Sequence, residues 1–599
     1  MDRRTFSALV LIFLILTGYP LFMQKFFPGV MPSPRTEQAA ADSTAISAAD
    51  STAKGATGPV TTTASTAESE TPFVPAAEMP VPANPLAPRD QVQERSVEVR
   101  TPLYALTIST KGGRIVRWDG LKFNSWKGGV VNLIPEEIPD HGLDMVQFRG
   151  ADLDLGGIIY QSDTEAINLD EGSGEATLVL RAPLAGGLEV RKTYTFNPET
   201  YDFVVELVIA RTGPTAEATL AKVGAPETIR LGWNQGIMPT ERVQRMEAAS
   251  MRALAKVGDE LHFKKHTELV KSLEKASGQW HGSVMFAGLQ DNYFTVVGMV
   301  PREQGEPVEG TIRLGGDQDT GTQSWSIDLP ARRGGGDVIA KASLDFYIGP
   351  QEADLLRSYG VGLEKTVDLG WKIFRPLAEV VLWGMNLMHK VIPNYGLIII
   401  IFSILTKVMF YPLTKTSTKS MKKMQELQPK LKALQEKYKD DKEKLNQATM
   451  KLYKDEKVNP AAGCLPLLVQ TPVFIALYQA LRHTISLRGQ PFVGWITDLS
   501  QPDALTTMPF SLPFLGSDLN VLPILMAVAM YFQTKLTPTS GAGGQMAAMN
   551  TMMPLFMIFI FYNMPSGLVL YYLVNTILQG YQTWQIQKTA PGSEGAQTT

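Results

Sequence analysis

The hydrophobic and polar positions change period several times along this chain, and each change predicts a different element. Residues Phe6 to Phe22 form a continuous apolar run behind Arg3 and Arg4. From about Met31 to Asp90 large apolar residues nearly vanish and Ala, Ser, Thr and Pro dominate. Such a segment buries too little to offset chain entropy, which predicts a flexible tether. Between about Glu94 and Pro350 short runs alternate with period two: Ser96 to Arg100, Ala176 to Leu180, Lys192 to Phe196, Phe203 to Leu207 and Tyr293 to Val297. Gly, Asn, Asp and Pro separate them, which predicts a large antiparallel β-sandwich. One helical stretch, Glu241 to Leu254, is expected to interrupt it.

The period then becomes helical. Over Leu369 to Val391, Lys372, Arg375, Glu379, Asn386 and Lys390 share one face, with Trp371, Phe374, Leu377, Val381 and Leu382 elsewhere. This predicts an amphipathic helix lying in a membrane interface; packing against the β-domain is the alternative. Five apolar segments follow: Gly396 to Pro412, Gly463 to Leu481, Val521 to Leu536, Thr551 to Asn563 and Ser566 to Trp584. The fourth is short for a hydrocarbon core of about 30 Å. Met564-Pro565-Ser566-Gly567 marks a tight turn that makes a hairpin of the last two. With the N-terminal run, six spans result, five of them in a helical core.

Charge orients these spans. The segment Tyr411 to Pro460 carries thirteen lysines against seven acidic residues, whereas Ser486 to Asn520 has Arg488 as its single cation. Lysine-rich loops face the cytoplasm, so both termini are expected there and the β-domain outside. The N-terminal run reads either as a cleaved signal peptide or as a retained anchor; no small-x-small site follows it closely, which favours the anchor. Net charge is −3, so bulk charge points to no partner, and the single Cys464 excludes an intrachain disulfide or a cysteine metal site. The expected domains are an anchor (1–24), a linker (25–93), the β-sandwich (94–352), the interfacial helix (353–395), a five-span core (396–590) containing a cytoplasmic hairpin (415–457), and a tail (591–599).

Lys407 is the most informative position. A charge at membrane depth costs roughly 2.5–3.5 kcal/mol on insertion scales, so it is normally paired or wet. The other apolar runs offer no carboxylate. Ser403, Lys407 and Tyr411 fall at i, i+4, i+8 on one face; Gln470 and Thr471 interrupt the next span, and Tyr572, Asn575, Thr576 and Gln579 stripe the last. Singly, such residues serve as interhelical hydrogen-bond glue. Together, around a cation with no acid, they predict a hydrated groove that could hold a polar segment of a passing chain. Snorkelling is the competing account: Lys407 is roughly 8–12 Å from the helix end at about 1.5 Å per residue, a gap a lysine stem nearly bridges.

Two further patterns stand out. Met421, Met424, Leu427, Leu431, Leu434 and Tyr438, a turn at Asp440-Asp441, then Leu445, Ala448 and Leu452 predict an antiparallel helical hairpin. Its lysines, Lys422, Lys423, Lys430 and Lys437 among them, suit an RNA-rich or anionic partner, anionic lipid included, and Asp440 and Asp441 at the turn are expected to share that partner-binding surface. Met546, Met549, Met553 and Met557 form a stripe, with Met526, Met530, Met552 and Met564 nearby. Methionine suits surfaces that accept many apolar shapes, and it also serves as lipid-facing filler.

Enzyme signatures are weak. Gly360 to Thr366 lacks the glycine spacing of a phosphate loop and the strand that should precede it. His262 and His266, read as i, i+4 on a surface helix, lack a third ligand. Ser403 and Lys407 as a hydrolytic dyad would need an oxyanion hole, and none is identifiable. No cofactor, metal or small-molecule substrate is implied. A transporter would predict inverted repeats, and none is seen. A third class, a tether between membrane and envelope, would rest on the β-domain alone.

The stretches Phe410-Tyr-Pro-Leu-Thr-Lys415, Lys457 to Phe474 and Pro565 to Tyr572 resemble the YidC membrane-protein insertases, and the resemblance extends over roughly Leu369 to Trp584. The β-domain and N-terminal run resemble the Gram-negative form. The resemblance implies an ATP-independent insertase and foldase of the bacterial inner membrane, acting on nascent membrane proteins, alone or beside the Sec translocon, and meeting the ribosome through its hairpin. It implies a groove closed outward, with its cation at Lys407, where arginine is usual, and a polar position at Ser403. Substrate contact would fall on Tyr572, with Gln470, Asn575 and Thr576 in the groove. An apolar slide would include Phe474 and the methionines Met526, Met530 and Met557. Most of Glu94 to Pro350 should then be dispensable. The β-domain also resembles sugar-binding sandwiches, without an assignable sugar site.

Overall fold

The structure is a computed structural model that describes residues 86–88 and 92–589, apart from 244–246, 249, 272–277, 303–304, 369–372, 440, 457, 459–464, 513–514 and 537–542. The N-terminal apolar run, the linker to residue 85, Trp371, Lys372, Asp440 and Cys464 lie outside the described residues.

Two sheets form the N-terminal half: a five-stranded one containing Ser96–Arg100 and a thirteen-stranded one containing Leu188–Phe196 and Asp202–Arg211. Pairing is antiparallel except where Ser96–Arg100 runs parallel to Ala166–Asn168. The alternation read from the sequence matches the burial, since every second residue of Leu188–Phe196 is buried. Rings join the two sheets: Phe123 meets Phe294 edge-on at 5.1 Å, and Tyr104 lies 6.4 Å from Tyr201. Two short helices, α1 (Ala216–Val223) and α2 (His266–Lys271), decorate this sandwich.

The helix expected over Glu241 to Leu254 does not run that length: among the described residues of the stretch only Glu247 and Ala248 are helical, and its last residues are extended. Arg252–Val257 is a strand that pairs with Gly278–Gln290 and buries Ala253, Leu254 and Ala255. Burial against a neighbouring strand overrides the local helical preference of the glutamates and alanines. The two histidines do not share a helix either: His262 lies in the strand Glu260–Lys265, stacked on Trp280 at 4.7 Å, and His266 opens α2.

The second half is helical. After α3 (Ala353–Ser358) come α4 (Arg375–His389), α5 (Tyr395–Met409), α6 (Tyr411–Glu426), α7 (Gln428–Lys437), α8 (Lys442–Asp455), α9 (Leu465–His483), α10 (Leu522–Leu536), α11 (Gly543–Phe561) and α12 (Ser566–Thr589). A two-stranded hairpin, Ala504–Leu512 with Gly516–Asn520, precedes α10 and was not anticipated. α12 packs on α10 and α5, and α4 on α9 and α5. At the start of α5 a Cβ on Gly396 would sit 2.0 Å from the Phe492 ring, so only glycine allows this approach.

No single helix among the described residues is long and apolar enough by itself to cross a membrane; the pair α5 and α6, bent by 62°, passes that test jointly. α5 and α10 have 15 residues each, about 22 Å at 1.5 Å per residue. α9 and α12 are longer, but polar residues such as Gln470, Asn575 and Gln579 interrupt them. Large apolar side chains nevertheless point outward along the bundle: Leu405 and Val408 on α5, Val528 and Phe532 on α10, Phe559 on α11 and Ile577 on α12.

The β-domain is locked to the helical half by charge. Arg488, just after α9, donates from Nε to Glu241 Oε1 at 2.7 Å, with only 5% and 7% of the two side chains exposed. It also donates to the carbonyls of Asn124 and Thr240. Arg242 donates to Asp518 Oδ1 of the hairpin at 2.5 Å. Buried beside this pair, Glu247 accepts from the Thr240 and Glu241 backbone N–H groups, and Asp291 from those of Tyr293 and Phe294.

Burial pushes the Asp291 carboxyl up to about 7, and burial with the nearby Asp291 and Glu241 charges raises Glu247 well above the carboxylate range. The folded state thus binds more protons than the unfolded chain from about pH 4, the ordinary aspartate value, up to Asp291's own midpoint. The stability contributed is fully present below that window and lost as pH rises through about 7. Thermal unfolding of the full chain in detergent should therefore occur at lower temperature at pH 8 than at pH 6. Asp291→Asn, which keeps the acceptor but cannot ionise, should flatten that dependence; an equal slope in both proteins would remove Asp291 from the account.

Candidate functional site

The site is built where α5 meets α12. Pro412 lies in the first turn of α6; its missing N–H and its ring end α5, and the chain turns there. Phe410 N–H still reaches the Thr406 carbonyl at 3.0 Å, closing the last turn. Tyr411 therefore belongs to the next helix and is 38% exposed, so the expected three-residue stripe stops at Lys407.

Lys407 is 7% exposed, and its Nζ donates to Gln579 Oε1 on α12 at 2.9 Å. Gln582 reaches back to the Lys407 carbonyl at 3.5 Å. No carboxylate lies within ion-pair distance of Lys407 among the described residues. A neutral amide thus holds the cation. Thr406, Lys407, Phe410, Gln470, Tyr571 and Asn575 line a cavity of about 10 Å³, roughly the room one water molecule needs. Together these residues form a narrow polar seam.

The expected residues divide between this seam and its surroundings. Gln470 and Asn575 line it with Lys407. Ser403 is fully buried but donates back to the Ile399 carbonyl at 2.8 Å, so its hydroxyl is occupied within α5 and makes no dyad with Lys407. Thr576 likewise donates to the Tyr572 carbonyl at 2.8 Å. Tyr571 was missed; its hydroxyl lies among Thr406, Asn575 and Gln470. The signal was in the spacing, because Tyr571, Asn575 and Gln579 are i, i+4, i+8, whereas a stripe begun at Tyr572 is one position out of phase.

Tyr572 faces the apolar side. Its ring lies 5.9 Å from Phe474, edge-on, and 5.0 Å from Phe561, and Phe474 and Phe561 are 6.0 Å apart. This aromatic trio joins α9, α11 and α12. Met530 and Met557 are half-buried, but Met526 is fully buried and offers no surface to a passing chain. Side chains of Met546 and Met549 lie outside the described residues.

The lysine-rich hairpin forms as α7 and α8, reached through α6. Met424, Leu427 and Val458 make a small core with Tyr453 against it, and Leu431 is buried too. Asp441 caps α8 by accepting from Lys444 N–H at 3.0 Å, which gives it a structural duty. Lys423, Lys430 and Lys437 are exposed and Lys422 half-buried; Lys430 pairs with Glu456 at 2.6 Å and Lys437 lies over the Tyr438 ring.

Comparison with known proteins matches the chain in two consecutive parts. Residues 96–383 match the YidC periplasmic domain and residues 387–593 the 60Kd inner membrane protein family. The membrane protein insertase YidC of Syntrophus aciditrophicus (strain SB) is 33% identical over 603 residues, covering 98% of this chain and all of the relative. That of Geobacter sulfurreducens is 35% identical over 499 residues, 82% of this chain and 86% of the relative. Among solved structures, an active YidC insertase with its first transmembrane domain resolved aligns over 84% of this chain and 94% of its own, at 19% identity and a TM-score of 0.36. A galactose mutarotase related enzyme from Lactobacillus acidophilus aligns over 43% of this chain and 97% of its own, at 10% identity and a TM-score of 0.26. These two structural likenesses carry no argument here. The two family matches in series and a relative matched from end to end place the chain in the YidC family of membrane protein insertases.

Proposed function

We propose that this chain inserts and helps fold integral inner-membrane proteins through the seam at Lys407, alone or beside the Sec translocon. In this reading the five apolar segments from α5 onward, with the N-terminal run, span the membrane six times. The β-domain lies in the periplasm, both termini in the cytoplasm, and α4 in the outer interface. The observation that carries the reading is Lys407, a buried cation held by an amide and by no carboxylate among the described residues. An amide is a weaker partner for a cation than a carboxylate. An acidic or polar segment of a nascent chain can therefore displace Gln579 and bring the missing charge.

The apolar part of the same segment then moves along the Phe474, Phe561 and Tyr572 rings into lipid. Burial of its side chains drives release, at roughly 25 cal/mol per Å², so no nucleotide is needed. The exposed lysines of the hairpin, Lys423, Lys430 and Lys437, present positive charge toward the ribosome.

Site-specific photocrosslinking tests the path. With a photoreactive residue at Tyr572 or Phe474, translation of a short single-span nascent chain should yield crosslinks to that span. Insertion that proceeds with crosslinks only to lipid and neighbouring helices would reduce the polar seam to packing and Lys407 to a snorkelling lysine.

A further inference from the structure

A second cleft, of about 580 Å³, opens between α3, the turn Leu363–Thr366, α4 and the chain just after α9. Small organic ligands occupy cavities of about 300–1,000 Å³. Charges of both signs line it. Arg357 and Arg375 are held by exposed neighbours on their own helices, Asp354 at 2.7 Å and Glu379 at 3.0 Å. Glu352 and Lys390 form no ion pair among the described residues. Glu352 stands at the N-cap of α3 without making a capping bond.

The helix beside this cleft has an unusual third face. Ala378, Val381 and Met385 of α4 are turned inward, as expected of a packed helix. Yet Val380, Trp383 and Leu387 are 61%, 67% and 49% exposed, and Val391 just beyond is 83% exposed. Spaced by three, four and four, they form a continuous apolar stripe along the rim of a charged cleft. Trp383 and Leu387 belong to both surfaces. A ligand suited to such a place is polar and doubly charged at one end and apolar at the other.

We propose that this cleft binds the headgroup of a phosphoethanolamine phospholipid. Its phosphate lies against Lys390 and Arg375, its ammonium against Glu352 and Glu364, and its acyl chains over Val380, Trp383 and Leu387. This rests on the placement of α4 in the membrane interface proposed above. Charge balance selects the headgroup. Four carboxylates (Glu352, Asp354, Glu364, Glu379) and three cations (Arg357, Arg375, Lys390) line the walls, so a purely anionic head meets more repulsion than attraction. A primary ammonium also donates hydrogen bonds to carboxylates, which a choline head cannot do. A lipid seated here would join the end of the β-domain, α4 and the end of α9, tying the position of the helical core to the outer leaflet.

The test uses the full-length protein in nanodiscs carrying trace photoactivatable acyl-chain probes with ethanolamine, glycerol or choline heads. The ethanolamine probe should label residues 375–391 several-fold above the other two. Glu352→Gln with Glu364→Gln, both at solvent-accessible positions, should lower that labelling about tenfold while leaving thermal unfolding unchanged. Equal labelling by all three probes, or undiminished labelling of the double variant, would overturn the proposal. Quenching by acyl-brominated lipid, taken as the difference between the wild type and Trp383→Phe, separates the two levels. Quenching with equal labelling leaves α4 in the interface and removes the headgroup site; no quenching removes both.

Discussion

Lys407→Glu is expected to reduce insertion of substrates with acidic leading segments by on the order of a hundredfold, whereas Lys407→Arg should retain it. Two unit charges about 4 Å apart interact by roughly 1 kcal/mol in bulk water and roughly 4 kcal/mol at the effective dielectric of a protein surface. The seam, with room for about one water, lies between these limits, and reversing the sign turns attraction into repulsion. Arginine keeps the charge and adds a planar fork. Gln579 makes the comparison clean, because its amide can turn to donate Nε2 to a glutamate and so satisfies either residue. Protease protection of newly inserted chains in proteoliposomes, for substrates with acidic and with neutral leading segments, reads the effect. Equal activity of the Glu variant on acidic substrates would remove the electrostatic role.

Glu241→Ala is expected to be strongly destabilising. It leaves the Arg488 guanidinium buried between the domains with two backbone carbonyls as hydrogen-bond acceptors, the Phe294 ring beneath it and Asp498 nearby, but no carboxylate in ion-pair contact among the described residues. Breaking a buried pair from one side typically costs about 3–5 kcal/mol. Thermal unfolding should shift down, and limited proteolysis should open the segments around Thr240 and Arg488. Replacing both partners together, with Glu241→Leu and Arg488→Met, should recover most of the loss, since well-packed apolar residues often substitute for a buried pair at little cost. Deleting the β-domain is then milder than the point change, because deletion returns Arg488 to water. A single variant as stable as the wild type would show that the domains are not held together by this pair.

The sequence made some of these features plain and hid others for physical reasons. Ser96–Arg100 was bounded correctly because one face of that strand is buried and the other wet, so its alternation is written in residue type. The hairpin was legible because its seam repeats at three and four. Lys407 was legible because a lysine in an apolar run has few explanations. Its partner was visible only as one polar residue in a stripe, and the stripe was begun one residue late, which put Tyr572 where Tyr571 stands. Over Glu241 to Leu254 local preference pointed to a helix, and the strand Gly278–Gln290 that holds Arg252 to Leu254 extended lies well downstream. The Arg488 pair spans a sequence separation of 247 residues. Arg488 was conspicuous as the single cation of its loop, but nothing local says which carboxylate it meets.

The bend at Phe410 has a consequence for the charge itself. Because α5 stops at Met409, Lys407 sits in its last turn, where the terminal backbone carbonyls carry the negative end of the helix dipole. A cation there gains typically 0.3–1 kcal/mol, and up to about 2 kcal/mol in favourable, partly buried geometry. A straight helix running through this point would place the same lysine mid-helix, with no such field, and would call for a carboxylate to hold it. Ending the helix early therefore lets backbone dipoles do part of what a carboxylate would otherwise have to do for this cation.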